Sequence, residues 1–189
     1  MKLSLLIPTL NDRRQSFKSL VMELTKQIID AGMEEQVEII SLCDKGLLSI
    51  GAKRNELLSR TRGDYVAFID DDDTVSERYV ALLMEGIKKG VDCCSLRGVY
   101  TIDGQNPEIF EHSIKYDEWK TNGPTSGITY ERNPNHLNCI KTSIACQFSF
   151  PETWHGEDHE WSKQLQRSGL LKTEYEITDI LYHYNHKRK

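Results

Sequence analysis

Three short apolar runs, each followed by a stretch of helical spacing, fill the first ninety residues and leave few folds open. Residues 3–7 form a run stopped by Pro8. Phe17, Leu20, Val21, Leu24 and Ile28 then recur at helical spacing, and Gly32 closes that helix. Residues 37–42 are a second strand and residues 52–61 a short helix. Residues 65–69 are a third strand. Ser76 is placed to cap a third helix, whose stripe is Val80, Leu83, Met84 and Ile87 and whose end is Gly90. This βαβαβα order predicts a parallel sheet with helices on its faces. Ligands of such sheets bind beyond the carboxyl ends of the strands.

The third strand delivers four consecutive acids to such an end. The run is Phe68-Ile69-Asp70-Asp71-Asp72-Asp73, preceded by a turn at Gly63-Asp64. An isolated acidic run is usually a solvated turn. Behind a buried strand, four crowded carboxylates instead call for a cation, and a hard one, since every ligand is oxygen. Mg²⁺ or Mn²⁺ shared with substrate phosphates fits that chemistry. After the second strand comes Ser49-Ile50-Gly51-Ala52-Lys53-Arg54, a basic pair at a helix start. A helix N-terminus with cations suits a diphosphate. The ordinary alternative for Lys53 and Arg54 is an exposed helical face.

The chain of 189 residues is long enough for one domain with a core. Its net charge of −5 gives no global attraction to nucleic acid or anionic lipid. No apolar stretch approaches the roughly 20 residues that span a bilayer. Five cysteines, an odd number without a CxxC pair, argue for reduced thiols and a cytoplasmic location rather than a disulfide framework or zinc site.

The second half reads differently. Residues 93–102 and 109–114 are expected strands around a turn at 103–107. Residues 120–134 are a long loop, a short helix lies near 141–146, and another runs from Glu157 to Gly169. Residues 176–184 are the last strand, and the basic tail 186–189 is solvated. One domain is expected, in two halves, residues 1–92 and 93–189.

The ordered set IPTLN, a strand ending in Asp44, GAKRN, GDYVAFIDDDD and GEDHEW resembles the inverting family 2 glycosyltransferases of the GT-A fold, along nearly the whole chain. The resemblance implies a Rossmann-like, mostly parallel central sheet, a nucleotide-sugar donor, most often UDP-linked, bound by residues 1–92, an acceptor bound by residues 93–189, and Mn²⁺ or Mg²⁺. It implies donor contacts by Pro8, Thr9, Asp44, Lys53, Arg54, Asp70 and Asp71, and metal ligation by Asp72, the metal-binding acid of an Asp-x-Asp pattern. Two departures stand out: Lys53 precedes Arg54 in the family's Ala-Arg-Asn element, and Lys45-Gly46 follows Asp44 where Gly-Ser is common. Asp158, in the Glu-Asp element, is implied as general base. The ordinary alternative for Asp158 is an acid in a first helical turn, favoured by the macrodipole. His183 is implied as a further metal ligand, with His186 as the other choice. Trp154, His155 and Glu157 are assigned to the acceptor side, with His136 nearby.

The acceptor divides the readings. It is a glycan or lipid-linked sugar, or a hydroxymethylated DNA base, since the compact chain also resembles phage enzymes that glycosylate such bases. A nucleotidyltransferase would use paired acids and Mg²⁺ but would have no purpose for a base at Asp158. A nucleotide-binding module would bind donor without turnover.

Overall fold

A computed structural model of the chain describes residues 1–123 and 127–187. Residues 124–126 of the expected loop and residues 188–189 of the expected tail lie outside the described residues. The alternation appears as β1 (Leu3–Leu10), α1 (Arg14–Asp30), β2 (Val37–Asp44), α2 (Ile50–Ser59), β3 (Tyr65–Phe68), a two-residue β4 (Thr74–Val75) and α3 (Tyr79–Lys88). β1 is central and parallel to both β2 and β3. Pro8 does not end it. The β3 register stops at Leu6 and Phe68, so Pro8 lies where only β2 remains as a neighbour and a missing donor is tolerated. α3 begins at Tyr79 rather than after Ser76. The Ser76 N–H donates to Leu181 O at 2.9 Å and its Oγ accepts from Arg78 N, so Ser76 builds the turn between β4 and α3.

Side-chain alternation along the parallel strands divides the core in two. Leu3, Leu5, Ile7, Tyr65, Ala67 and Ile69 pack with Leu20, Leu24, Leu83 and Ile87 of α1 and α3. Leu6, Val66 and Phe68 face the other way, onto Leu57 of α2 and onto Phe150 and Trp161. Phe150 and Trp161 stack with centroids 4.8 Å apart.

The second half supplies β5 (Cys93–Cys94), β6 (Leu96–Ile102), β7 (Gln105–His112), β8 (Lys120–Thr121), β9 (Tyr130–Arg132), β10 (Ile140–Lys141), α4 (Thr142–Ala145), α5 (Glu157–Ser168), β11 (Glu174–Tyr175) and β12 (Ile180–His186). The five-residue turn expected at 103–107 is tighter. Asp103 and Gly104 both have positive φ, so two residues reverse the chain and β7 starts at Gln105. The expected loop carries β8 and β9, and the expected last strand begins only at Ile180, as β12, with the short β11 lying before the expected range. All five cysteines are free thiols. Among the described residues no helix is long and apolar enough to cross a membrane.

Two six-stranded sheets result, in the orders β11-β5-β10-β3-β1-β2 and β4-β12-β6-β7-β9-β8. β10 runs antiparallel to β3 and brings the second half into the first sheet. β4 runs antiparallel to β12 and takes the first half into the second sheet. The four acids lie between β3 and β4, so they are the crossing point between the sheets.

Candidate active site

A cleft of about 980 Å³ opens at that crossing point. The first half of the chain lines it with Pro8, Thr9, Arg13, Lys53, Arg54 and the four acids, and the second half with Tyr100, Trp119, Tyr130, His136, Tyr184 and the Trp154 to Asp158 segment.

Each acid has a different environment. Asp70 accepts from Arg54 Nη2 at 3.0 Å. Burial would raise its carboxyl, but the Arg54 charge outweighs that and holds it well below the usual range. Asp71 is buried and accepts from Thr9 Oγ1 at 2.6 Å, from Leu10 N at 3.3 Å and from Arg13 Nη1 at 2.9 Å. Asp72 is 32% exposed and pairs with Arg13 Nη1 at 2.9 Å. Burial, with the charges of Asp70 and Asp71, pushes its carboxyl up despite that pairing. Asp73 is buried, accepts from Tyr182 Oη at 2.8 Å and faces Asn185 N at 3.3 Å. Burial first, then the neighbouring charges of Asp70 and Asp72, push it up to about 8.

The Asp73 shift has a testable consequence. Between the ordinary carboxyl range and about pH 8 the folded chain holds a proton that the unfolded chain has released. Stability therefore falls as pH rises through that window. In metal-free buffer the melting temperature should drop from about pH 5 to about pH 8, and Asp73→Asn should flatten the drop. A wild-type profile that rises over this range, or an equal slope in the variant, would remove Asp73 as the cause.

The basic pair is buried and already partnered. Arg54 is 4% exposed and ion-pairs with Glu157 and Asp70. Its guanidinium also lies 6.0 Å from the Phe68 ring centroid and 5.7 Å from that of Phe150. Lys53 Nζ donates to Thr9 O at 2.8 Å and ion-pairs with Asp44, tying the ends of β1 and β2 together. Gly51 lets α2 start here, because a Cβ would meet Pro151 O at 1.8 Å. In the second half Gly156 adopts φ 78° as the N-cap of α5, a conformation glycine takes without strain, and Glu157 and Asp158 follow in the first turn. Asp158 lines the cleft, and its Oδ1 accepts from His159 N at 2.8 Å.

A family model described as Glycosyl transferase family 2 matches residues 22–154, well over half of the chain. The chain belongs to glycosyl transferase family 2. No curated protein sequence matches it significantly. Among solved structures, S. aureus TarS 1-349 in complex with UDP-GlcNAc is similar over 100% of this chain and 60% of that one, with a TM-score of 0.65 and 16% identity. TarS 1-349 in complex with UDP matches over 98% of this chain and 60% of that one, with a TM-score of 0.58 and 15% identity. The family 2 chain thus spans about three fifths of these relatives and shares their GT-A fold.

Within this glycosyltransferase domain, Pro8, Thr9, Lys53, Arg54, Asp70, Asp71, Asp72, Trp154, His155, Glu157 and Asp158 border one cleft. Several sit differently from expectation. Asp44 does not line the cleft. Its oxygens accept from the backbone of Gly46, Leu47 and Leu48 and pair with Lys53, so it shapes the loop after β2. Burial would raise its carboxyl, but Lys53 and those amides hold it well below the usual range. Lys53, expected at a diphosphate, serves that same junction. Glu157, expected to meet acceptor, is buried against Arg54. His183 pairs with Thr74 in the sheet register and does not line the cleft, whereas Tyr184 and His186 do. Strand alternation puts His183 on the opposite face. Trp154 is 56% exposed at the cleft mouth and has no role in the core.

Sequence reasoning missed Arg13, which bridges Asp71 and Asp72, and Tyr182, which bonds Asp73 and accepts from Asp70 N. Arg13 comes two residues after the strand-end IPTLN element, so its position beside the acids was a usable signal. Tyr182 comes from 109 residues beyond Asp73, and no local pattern links them.

Among the described residues no group of three His, Cys, Asp or Glu side chains is arranged to hold a metal. The chemistry of the donors still fits a hard cation. Asp72 is a partly exposed carboxylate whose charge is disfavoured by burial and by Asp70 and Asp71, which a cation would relieve. Mg²⁺ and Mn²⁺ sites commonly use one or two carboxylates and complete their shell with phosphate and water.

Proposed function

We propose that this domain is an inverting, metal-dependent transferase that moves a hexosyl group from a nucleotide sugar, UDP-linked, to an acceptor hydroxyl. The observation that carries the reading is that Asp158 and the acid turn line one cleft, with His136 between them. The likeness to TarS, solved with UDP-GlcNAc and with UDP, supports a UDP-sugar as donor.

In this reading the diphosphate lies along the acid turn, with Asp72 as its metal ligand. Arg13 is within reach to follow the diphosphate once Asp72 takes a cation. The cation, Mn²⁺ or Mg²⁺, supplies charge neutralisation for the departing diphosphate. Asp158 accepts the proton of the acceptor hydroxyl as that oxygen attacks the anomeric carbon. The bond from the anomeric carbon to the diphosphate breaks on the opposite face, and its electron pair leaves with the diphosphate, which inverts the centre. The exposed Trp154 and the cleft-facing Tyr100, Tyr130 and Tyr184 suit a sugar ring on the acceptor side. The net charge of −5 favours a glycan hydroxyl over a hydroxymethylated DNA base.

Calorimetric titration of UDP tests the donor half. Binding should be strong with Mn²⁺ and weak in EDTA or in Asp72→Asn. Equal affinity in all three would end the metal role. A screen of nucleotide sugars for hydrolysis and transfer tests turnover. Binding without turnover on any donor would favour a regulatory nucleotide-binding module.

A further inference from the structure

His136 is 5% exposed and lies between the acid turn and α5. Its Nε2 stands 2.9 Å from Arg54 Nη2. A guanidinium nitrogen only donates, so Nε2 must accept, and the ring proton is therefore on Nδ1. Asp70 Oδ2 is 3.6 Å from the same Nε2, too far to compete. Nδ1 is buried and has no hydrogen-bond partner. Buried donors without partners are rare and call for an explanation. The carboxylate this donor faces is Asp158, with Oδ2 at 3.9 Å. The other Asp158 oxygen is already held by His159 N.

We propose that His136 is a positioning residue for Asp158. When substrates fill the cleft, Nδ1–H closes onto Oδ2, fixes the rotation of the carboxylate and aims its free lone pair at the acceptor hydroxyl. The present distance is the long, open form that catalytic hydrogen bonds often show without substrate. His136 does not relay the proton. Nδ1 already carries one, and the Nε2 lone pair is held by Arg54. Arg54 thus sets the tautomer, and the tautomer provides the donor. This inference rests on Asp158 acting as the base.

Two near-isosteric variants separate the functions of the two ring nitrogens. The amide nitrogen of His136→Asn falls near Nδ1 and keeps a donor for Asp158. The amide of His136→Gln reaches the Nε2 position and keeps only the Arg54 contact. With the full chain, Mn²⁺ and a donor that wild type turns over, His136→Asn should keep most of kcat. His136→Gln should lose on the order of 10²-fold in kcat, the cost of a misplaced catalytic group. UDP affinity and donor KM should stay unchanged in both. The reverse order, with Gln active and Asn inactive, would mean that His136 only buttresses Arg54, and wild-type kcat in His136→Gln would also overturn the proposal. Nitrogen-15 NMR of the wild-type ring needs no variant to fold. It should show the Nδ1–H tautomer, and finding the proton on Nε2 would overturn the proposal. An active Asp158→Asn would instead overturn the base assignment. A dead Asp158→Asn beside a fully active His136→Gln would overturn the His136 role alone.

Discussion

Asp158→Asn should leave UDP binding near normal while transfer collapses. Loss of a general base typically costs 10²–10⁴-fold in rate, about 3–5 kcal/mol of barrier. The substitution is nearly isosteric, and the amide oxygen can still accept from His159 N, so the first turn of α5 should be undisturbed. The effect should appear in kcat and in kcat/KM alike, because the lost interaction exists only in the transition state. Steady-state kinetics on the true acceptor, with UDP calorimetry as control, provide the check. Near wild-type kcat would exclude Asp158. Asp73 and Glu157 would then be the next acids to test, each first having to leave its present partner, Tyr182 or Arg54.

Arg54→Met should be among the most destabilising single changes in the chain. The methionine fills much of the volume between the Phe68 and Phe150 rings but leaves Asp70 and the buried Glu157 without their cation. Removing one partner of a buried ion pair typically costs about 3–5 kcal/mol. For a chain of this size that is a drop of roughly 10 °C or more in melting temperature. Adding Asp70→Asn and Glu157→Gln to Arg54→Met should recover part of the loss, which separates stranded charge from lost packing. Arg54→Lys keeps the charge but not the fork that reaches both carboxylates, and should fall between. Thermal melts decide the matter, and an unchanged melting temperature in Arg54→Met would show that the buried cluster contributes nothing to stability.

The parallel half of the fold was legible because its strands obey a local rule. Leu3 to Ile7 and Tyr65 to Ile69 are apolar on both faces because helices cover both, and the helical stripes of α1 and α3 read directly. The second sheet was harder. β4, β8 and β9 are two or three residues long and owe their pairing to partners far along the chain, so no periodicity marks them. The site divides the same way. Clustered letters such as the acid run and GEDHEW announced themselves. Their partners Tyr182 and His136 did not, because they come from the second half and reach the acids only through the crossing of the sheets. The same limit explains Asp44, Lys53 and Glu157. Sequence marks a charged residue at a strand or helix end, but whether it faces a ligand or another side chain is decided by what folds against it.

The crossing of the sheets also bears on how such a chain can be re-engineered. β10, β5 and β11 complete the sheet that leads into the acid turn, and β4 closes the edge of the sheet that carries Tyr100, Tyr130 and Tyr184. A cut between the halves would strip strands from both sheets and open the Asp73 to Tyr182 bond. The proposed acceptor side is therefore not a cassette that can be exchanged between relatives. New acceptor preferences have to be introduced in place, on the tyrosine face and the Trp154 lip, with the acid turn left as the hinge pin of both sheets.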